Sequence, residues 1–301
     1  MKKFFILASA AIVALASCAK TEVVNTGEQQ EIAFKQITGA MTKADPVKTV
    51  ESLGVIAHYG ASLYFDNTAF TWDDAKKAYS ANMYWPFEGK LDFTVYAPAV
   101  EKASYAGNTL EIEGVTAQKE LYYGSQRYVE TAKADKVPVV LKHASAKITV
   151  KIKGSNIYTL TDLKLNGYNK TGNVKVTYGT SDNYDATAVE TKTGATTSDH
   201  KFLSSGNQGL TAEAVAVGTE CYVLPGTQTS FTLTFIQDAA NDITFTKNIT
   251  LSDKWVANHQ YLYTINITAD EILFTAEVAE WETAADVNKT NADFTAVPSQ
   301  N

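Results

Sequence analysis

Cysteine, arginine and proline are scarce: 301 residues hold two cysteines, six prolines and a single arginine, Arg127. Cys18 belongs to the apolar start of the chain, so Cys221 is left with no partner for an intramolecular disulfide and the body gains nothing from cross-links. Cys221 stands in the stretch ECYVLPG and reads as a small buried hydrophobe, with a reactive thiol as the other option. Lysine supplies nearly all of the 26 basic residues, which face 33 acidic ones for a net charge of −7. A mildly acidic body without clustered cations cannot track a phosphate backbone, so nucleic acid is not an expected partner.

Helical periodicity is nearly absent as well. The one short candidate, DDAKKAYSANMYW, suits a loop equally well. There is no phosphate-binding glycine loop, no dinucleotide fingerprint, no nucleophile elbow and no zinc-binding helix motif. The four histidines, His58, His143, His200 and His259, are scattered without ligand spacing, and His143 and His259 read as hydrogen-bonded structural residues. The acid pair Asp73-Asp74 lacks the alternating spacing of a calcium loop and reads as solvated surface. The pattern therefore points to no cofactor, no metal and no enzyme, although catalytic carboxylates can converge from distant positions without a motif.

What is present begins with MKKFFILASAAIVALASC. Lys2 and Lys3 form a basic end, Phe4 to Leu15 an apolar stretch, and Ala16-Ser17 a small-residue end, which together make residues 1–17 a secretory signal too short to span a bilayer. Leu15-Ala16-Ser17-Cys18 resembles the bacterial lipobox, which implies cleavage between Ser17 and Cys18 and lipidation of Cys18. At ~0.8 kcal/mol per buried CH₂, several acyl chains together would anchor the chain almost permanently.

The body, 45% hydrophobic and 11% aromatic over the whole chain, is a succession of period-two segments separated by Gly, Asn, Asp and Pro. In KLDFTVYAP, Leu91, Phe93, Val95 and Ala97 face one way and Asp92, Thr94 and Tyr96 the other. AKITVKIKG sets Ile148, Val150 and Ile152 against a lysine face, which predicts a half-solvated sheet with antiparallel pairing. SFTLTFIQD alternates Phe231, Leu233 and Phe235 with Thr232 and Thr234. Short strands at this spacing predict an all-β protein of sandwich or barrel type, and their number predicts two β-domains in tandem with a seam near residue 142. The aromatic clusters MYWPFEG (Tyr84, Trp85, Phe87) and ELYYGSQRY (Tyr122, Tyr123, Tyr128) suit either a sandwich core or a sugar-stacking platform.

Four stretches in order carry a family likeness. YWPFEGKLDFTVYAPA (84–99), VPVVLKHASAKITVKIKG (137–154), CYVLPGTQTSFTLTF (221–235) and WVANHQYLYTINITADEILFTAEVAEW (255–281) resemble the fimbrillin family of Bacteroidetes, the Mfa-like or type V pilin lipoproteins. The resemblance implies two transthyretin-like β-sandwich domains behind a lipoprotein signal. It divides the chain into a signal (1–17), a lipidated leader with the first strand (18–43), an N-terminal sandwich (44–141), a C-terminal sandwich (142–281) and a tail (282–301). It also implies export to the outer-membrane surface, other fimbrial subunits as partners, and a stalk, tip or anchor role in adhesive fimbriae that meet a host or bacterial receptor. A maturation protease would cut after a basic residue beyond the first strand, here between Lys43 and Ala44, where the family more often has arginine.

The leader strand QEIAFKQI should place Ile32 and Phe34 in the core, with Ala33 and Lys35 outward. Cleavage at Lys43 would let this strand leave, and an unpaired edge accepts another strand. Residues 282–301 suit a donor strand, with Phe294 and Ala296 on one face of DFTAV, or a disordered tail. The competing reading is a solitary surface lipoprotein that binds glycans through Tyr84, Trp85, Tyr122 and Tyr123.

Overall fold

The computed structural model describes residues 30–37, 50–100, 102–130, 136–180, 185–192, 194–203, 206–227, 230–237, 243–251, 254–268, 271–281 and 295–297. They form strands and turns throughout, as the period-two pattern leads one to expect. A first sheet holds β1 (Glu31–Ile37), β2 (Ser52–Tyr59), β3 (Ser62–Asp73), β4 (Ala78–Tyr84), β5 (Lys90–Ala97), β8 (Tyr122–Glu130), β9 (Val137–Val140) and β10 (Lys142–His143). A second holds β6 (Ala103–Ala106), β7 (Thr109–Thr116), β12 (Tyr158–Tyr178), β13 (Ala186–Thr191), β14 (Thr196–Lys201), β15 (Gln208–Gly209), β19 (Ser230–Gln237) and β20 (Ile243–Thr250). The third holds β11 (Ala146–Gly154), β16 (Val215–Ala216), β17 (Cys221–Val223), β22 (His259–Ile267), β23 (Ile272–Glu280) and β24 (Thr295–Val297), and β18 (Gly226–Thr227) pairs with β21 (Lys254–Trp255) apart from these.

The first sheet runs β10-β8-β5-β2-β3-β4-β1-β9. Its two end strands are consecutive in the chain, joined through the buried Leu141, so the sheet rolls until β8 and β9 meet. At that seam a Cβ on Gly124 would lie 2.5 Å from the Val140 carbonyl oxygen, which is why glycine stands there. The rolled interior is the first core: Phe34, Phe70, Phe93, Leu53, Val95 and Trp85 among others.

The second and third sheets face each other across a larger core built on Ile148, Leu163, Phe231, Leu233, Tyr263 and Trp255. A third core lies between the outer face of the first sheet and β7 and β12, with Ile56, Tyr96 and Tyr123 packed on Leu110, Val174 and Tyr178. Tyr96, on the face opposite Leu91, Phe93 and Val95, is thus fully buried; its hydroxyl donates to the Val100 carbonyl at 3.1 Å. Gly54 faces its ring closely enough that a Cβ would come within 2.1 Å.

The second sheet is held together by β12. Its first part pairs with β19 and β14, and after register shifts its last part, Thr171–Tyr178, pairs with β7 and β13. The hairpin of β6 and β7, on the N-terminal side of residue 142, therefore adds to a sheet made mostly by later strands.

Two local expectations are corrected. DDAKKAYSANMYW is neither helix nor loop but the turn and return strand of a hairpin: Asp73 Oδ1 accepts from the amides of Ala75 (2.8 Å) and Lys76 (3.1 Å), and β4 follows. β11 pairs with β22 in parallel over eight residues, not antiparallel, although it is antiparallel to β16 and β17. A wet face permits either sense, and β22 reaches this position only after the chain has crossed to the opposing sheet and back. The lysine face is itself only partly wet, since Lys147 is buried against Glu220 at 2.6 Å.

Candidate assembly site

β1 lies inside the first sheet, antiparallel to β4 and parallel to β9. On one side Ala33 and Phe34 oppose Ser80 and Tyr79; on the other Phe34, Lys35, Gln36 and Ile37 oppose Val137, Pro138, Val139 and Val140. A register shift between Glu31 and Ala33 marks a bulge. Ile32 and Phe34 are wholly buried, and Ala33, expected outward, is buried too. The Phe34 ring meets Phe70 edge-on at 4.9 Å and Phe93 at 5.1 Å, a geometry that aromatic quadrupoles favour.

Removing β1 would therefore uncover two phenyl rings and two ladder edges at once. Burial of the Ile32 and Phe34 side chains stabilises by roughly 3–6 kcal/mol together. The polar tethers are weaker: Glu31 accepts from Lys76 Nζ at 2.5 Å and from the Asn82 amide at 3.2 Å, in an exposed setting where ion pairs contribute little. The strand is held by its apolar side chains and its ladders.

The tail has its own place. Thr295, Ala296 and Val297 pair antiparallel with Val278, Glu277 and Ala276 at the edge of the third sheet. Phe294 lies outside the described residues, as do Ser17, Cys18, Lys43 and Ala44. The tail leaves the body at Trp281, which is fully buried and stacked on His143 with ring centroids 3.5 Å apart and planes 3° apart. Tyr222 extends the stack from Trp281, Tyr122 meets His143 at a 39° tilt, and the Trp281 amide donates to the Asn258 carbonyl at 2.6 Å. The base of the tail is thus a fixed post.

His143 is structural, as expected. Its Nδ1 donates to the Lys119 carbonyl at 2.8 Å, and burial, with further repulsion from Lys119 and Lys147, holds its pKa down at about 3. An unfolded histidine takes up its proton below pH 6.5, while the folded one stays neutral down to about 3. Stability is therefore full above pH 6.5 and falls by about 1.4 kcal/mol per pH unit between those values. Urea unfolding from pH 7 to 4 should show this slope in the wild type and lose that share of it in His143→Gln.

Cys221 is buried, and desolvation raises its thiol to about 12, which makes it inert rather than reactive. His259 Nδ1 donates to the Ala257 carbonyl at 2.8 Å. Of the residues for a sugar platform, Trp85, Tyr122 and Tyr123 are buried and only Tyr84 is exposed, so these four make no stacking surface. No cluster of three or more His, Cys, Asp or Glu side chains suited to a metal occurs among the described residues. No helix among them is long and apolar enough to cross a membrane.

The partners of Phe34 escaped the sequence reading. Phe93 was legible as an inward residue of its strand, but Phe70 and Tyr79 sit in stretches whose alternation is broken by Asn, Thr and Ala. The apolar run VPVV, all four residues of which pair with β1, was the available signal.

Comparison with known proteins decides the family. The fimbrillin-like family profile matches residues 26–281, the whole body from just before β1 to Trp281. The chain belongs to the fimbrillin-like family. No curated protein matches it. Among solved structures, a fimbrial protein from Bacteroides vulgatus is 16% identical, with a TM-score of 0.55 over 83% of this chain and 99% of the other. A proposed cell adhesion protein from Bacteroides uniformis is 18% identical, with a TM-score of 0.54 over 83% of this chain and 98% of its own. Another from Bacteroides ovatus is 14% identical, with a TM-score of 0.54 over 85% and 99%. At such identities the likeness is one of fold. The family match covers β1 together with the body.

Proposed function

We propose that the protein is a structural subunit of cell-surface fimbriae that supports adhesion, exported as an outer-membrane lipoprotein through Cys18 and assembled by strand exchange. The observation that carries this reading is the position of β1: an interior strand, next to the chain start, with Phe34 at the centre of the first core. Cutting between Lys43 and Ala44 frees the leader, 18–43, to depart with its lipid. The vacated slot then offers β4 and β9 as paired edges and Phe70 and Phe93 as pockets, the combination that main-chain pairing plus side-chain insertion requires. The tail of another subunit, 282–301, is the donor. It must first give up its pairing with β23, which among the described residues involves Thr295, Ala296 and Val297. Head-to-tail repetition that does not close yields a filament.

The partners on this reading are other fimbrial subunits, outer-membrane lipid, a maturation protease and a surface receptor. A trypsin-like protease added to purified precursor should yield a species beginning at Ala44 and, with it, oligomers on size exclusion. Cleaved protein that stays monomeric at high concentration would remove strand exchange from the account. Mass spectrometry of protein taken from cells separates the roles: an acylated Cys18 end marks an anchor and an Ala44 end a processed pilin.

A further inference from the structure

One aromatic cluster of the sequence takes no part in the groove. Phe87 is 86% exposed, and at the same end of the first sheet Tyr59, Leu63, Tyr64 and Tyr84 are exposed too. They belong to the adjoining ends of β2 and β3 and to the end of β4 with the loop that follows. The Tyr64 hydroxyl donates to the Tyr84 carbonyl at 2.8 Å, and the Tyr59 ring lies against Gly89, where a Cβ would come within 2.5 Å of it. Five large apolar side chains thus share one end of the first sheet, beyond what scattered exposure explains.

The chain enters β1 at that same end. Glu31 pairs with Tyr84, and the Trp85 amide donates to the Gln30 carbonyl at 2.9 Å. Cys18 is twelve residues upstream of Gln30. Even fully extended, those residues reach only about 40 Å. A lipid on Cys18 therefore tethers the body to the membrane from this end of the sheet.

The geometry points to a membrane-facing surface: in the lipidated precursor, Phe87 and its neighbours rest on the headgroup layer of the bilayer that holds Cys18. This rests on the lipidation reading above. Tyrosine and phenylalanine at the tip of a tethered domain suit that layer, where an amphipathic ring meets both water and acyl chain. The attraction is apolar, not ionic, since Lys90 beside the loop is already paired with Glu130 at 3.5 Å. Proteolysis after Lys43 then frees two contacts together, the lipid and this surface.

The test uses full-length lipidated precursor in vesicles of phosphatidylethanolamine and phosphatidylglycerol with brominated acyl chains. Phe87→Trp should add an emission that the brominated lipid quenches. Ile243→Trp, on the exposed edge strand β20 of the second sheet, should add one that it does not. Quenching at position 87 that persists at high salt supports the surface. Unquenched emission from position 87, in protein that floats with the vesicles, overturns it. Protein that fails to float overturns lipid anchoring itself, and this surface with it.

Discussion

Phe34→Ala should weaken the uncut precursor by about 3–5 kcal/mol and, once the chain is cut after Lys43, shorten the delay before oligomers form. The first effect follows from the ring's surroundings. Phe34 is wholly buried between Phe70 and Phe93, both in edge-on contact, and neither can collapse into the vacated space without losing its own strand position. The second follows from what exchange requires: the old strand must leave, and its departure is slow in proportion to what holds it. Urea unfolding measures the first effect and light scattering after protease addition the second. Leu233→Ala, in the core between the second and third sheets, serves as the control. It should cost about 2–5 kcal/mol and leave the delay unchanged. Equal delays in wild type and Phe34→Ala would sink the idea that β1 is the strand replaced.

The parts of the fold legible in the sequence were those in which one face of a strand meets one core. SFTLTFIQD gave inward Phe231, Leu233 and Phe235 because β19 has one apolar face and one threonine face. β5 was half legible: its inner residues were assigned correctly, but Tyr96 on the other face is buried because β7 and β12 cover that side of the sheet. An aromatic among polar neighbours does not announce a second core. Nor does alternation report pairing sense, so the parallel ladder of β11 and β22 was out of reach. The split allegiance of β12 was equally hidden, since a 21-residue strand reads as two shorter ones when its register shifts midway.

The site divides the same way. Ile32 and Phe34 were legible as core residues from four alternating positions. That β1 is an interior strand was not, because the residues it pairs with in β4 and β9 lie 45 to 103 residues away in sequence. The tail was harder still. DFTAV shows only weak alternation, and its pairing with β23 depends on an edge that the sequence does not mark.

Deleting residues 282–301 should abolish filament growth while leaving the body folded and cleavable. Trp281 remains in this truncation, and with it the stack on His143 and the amide bond to Asn258. Among the described residues, what is lost is the pairing of Thr295, Ala296 and Val297 at the edge of β23, a contact whose removal should leave the unfolding midpoint close to that of the full chain. Thermal unfolding should show little change, whereas electron microscopy of cleaved protein should show no filaments. The sharper measurement is a mixture. A cut subunit without its tail still has a slot but nothing to donate, so it can receive a neighbour's strand and then stop growth at that end. Adding it in small amounts to cleaved full-length protein should shorten filaments as its share rises. Full-length filaments containing the truncated chain throughout would mean that the donor lies elsewhere in the molecule.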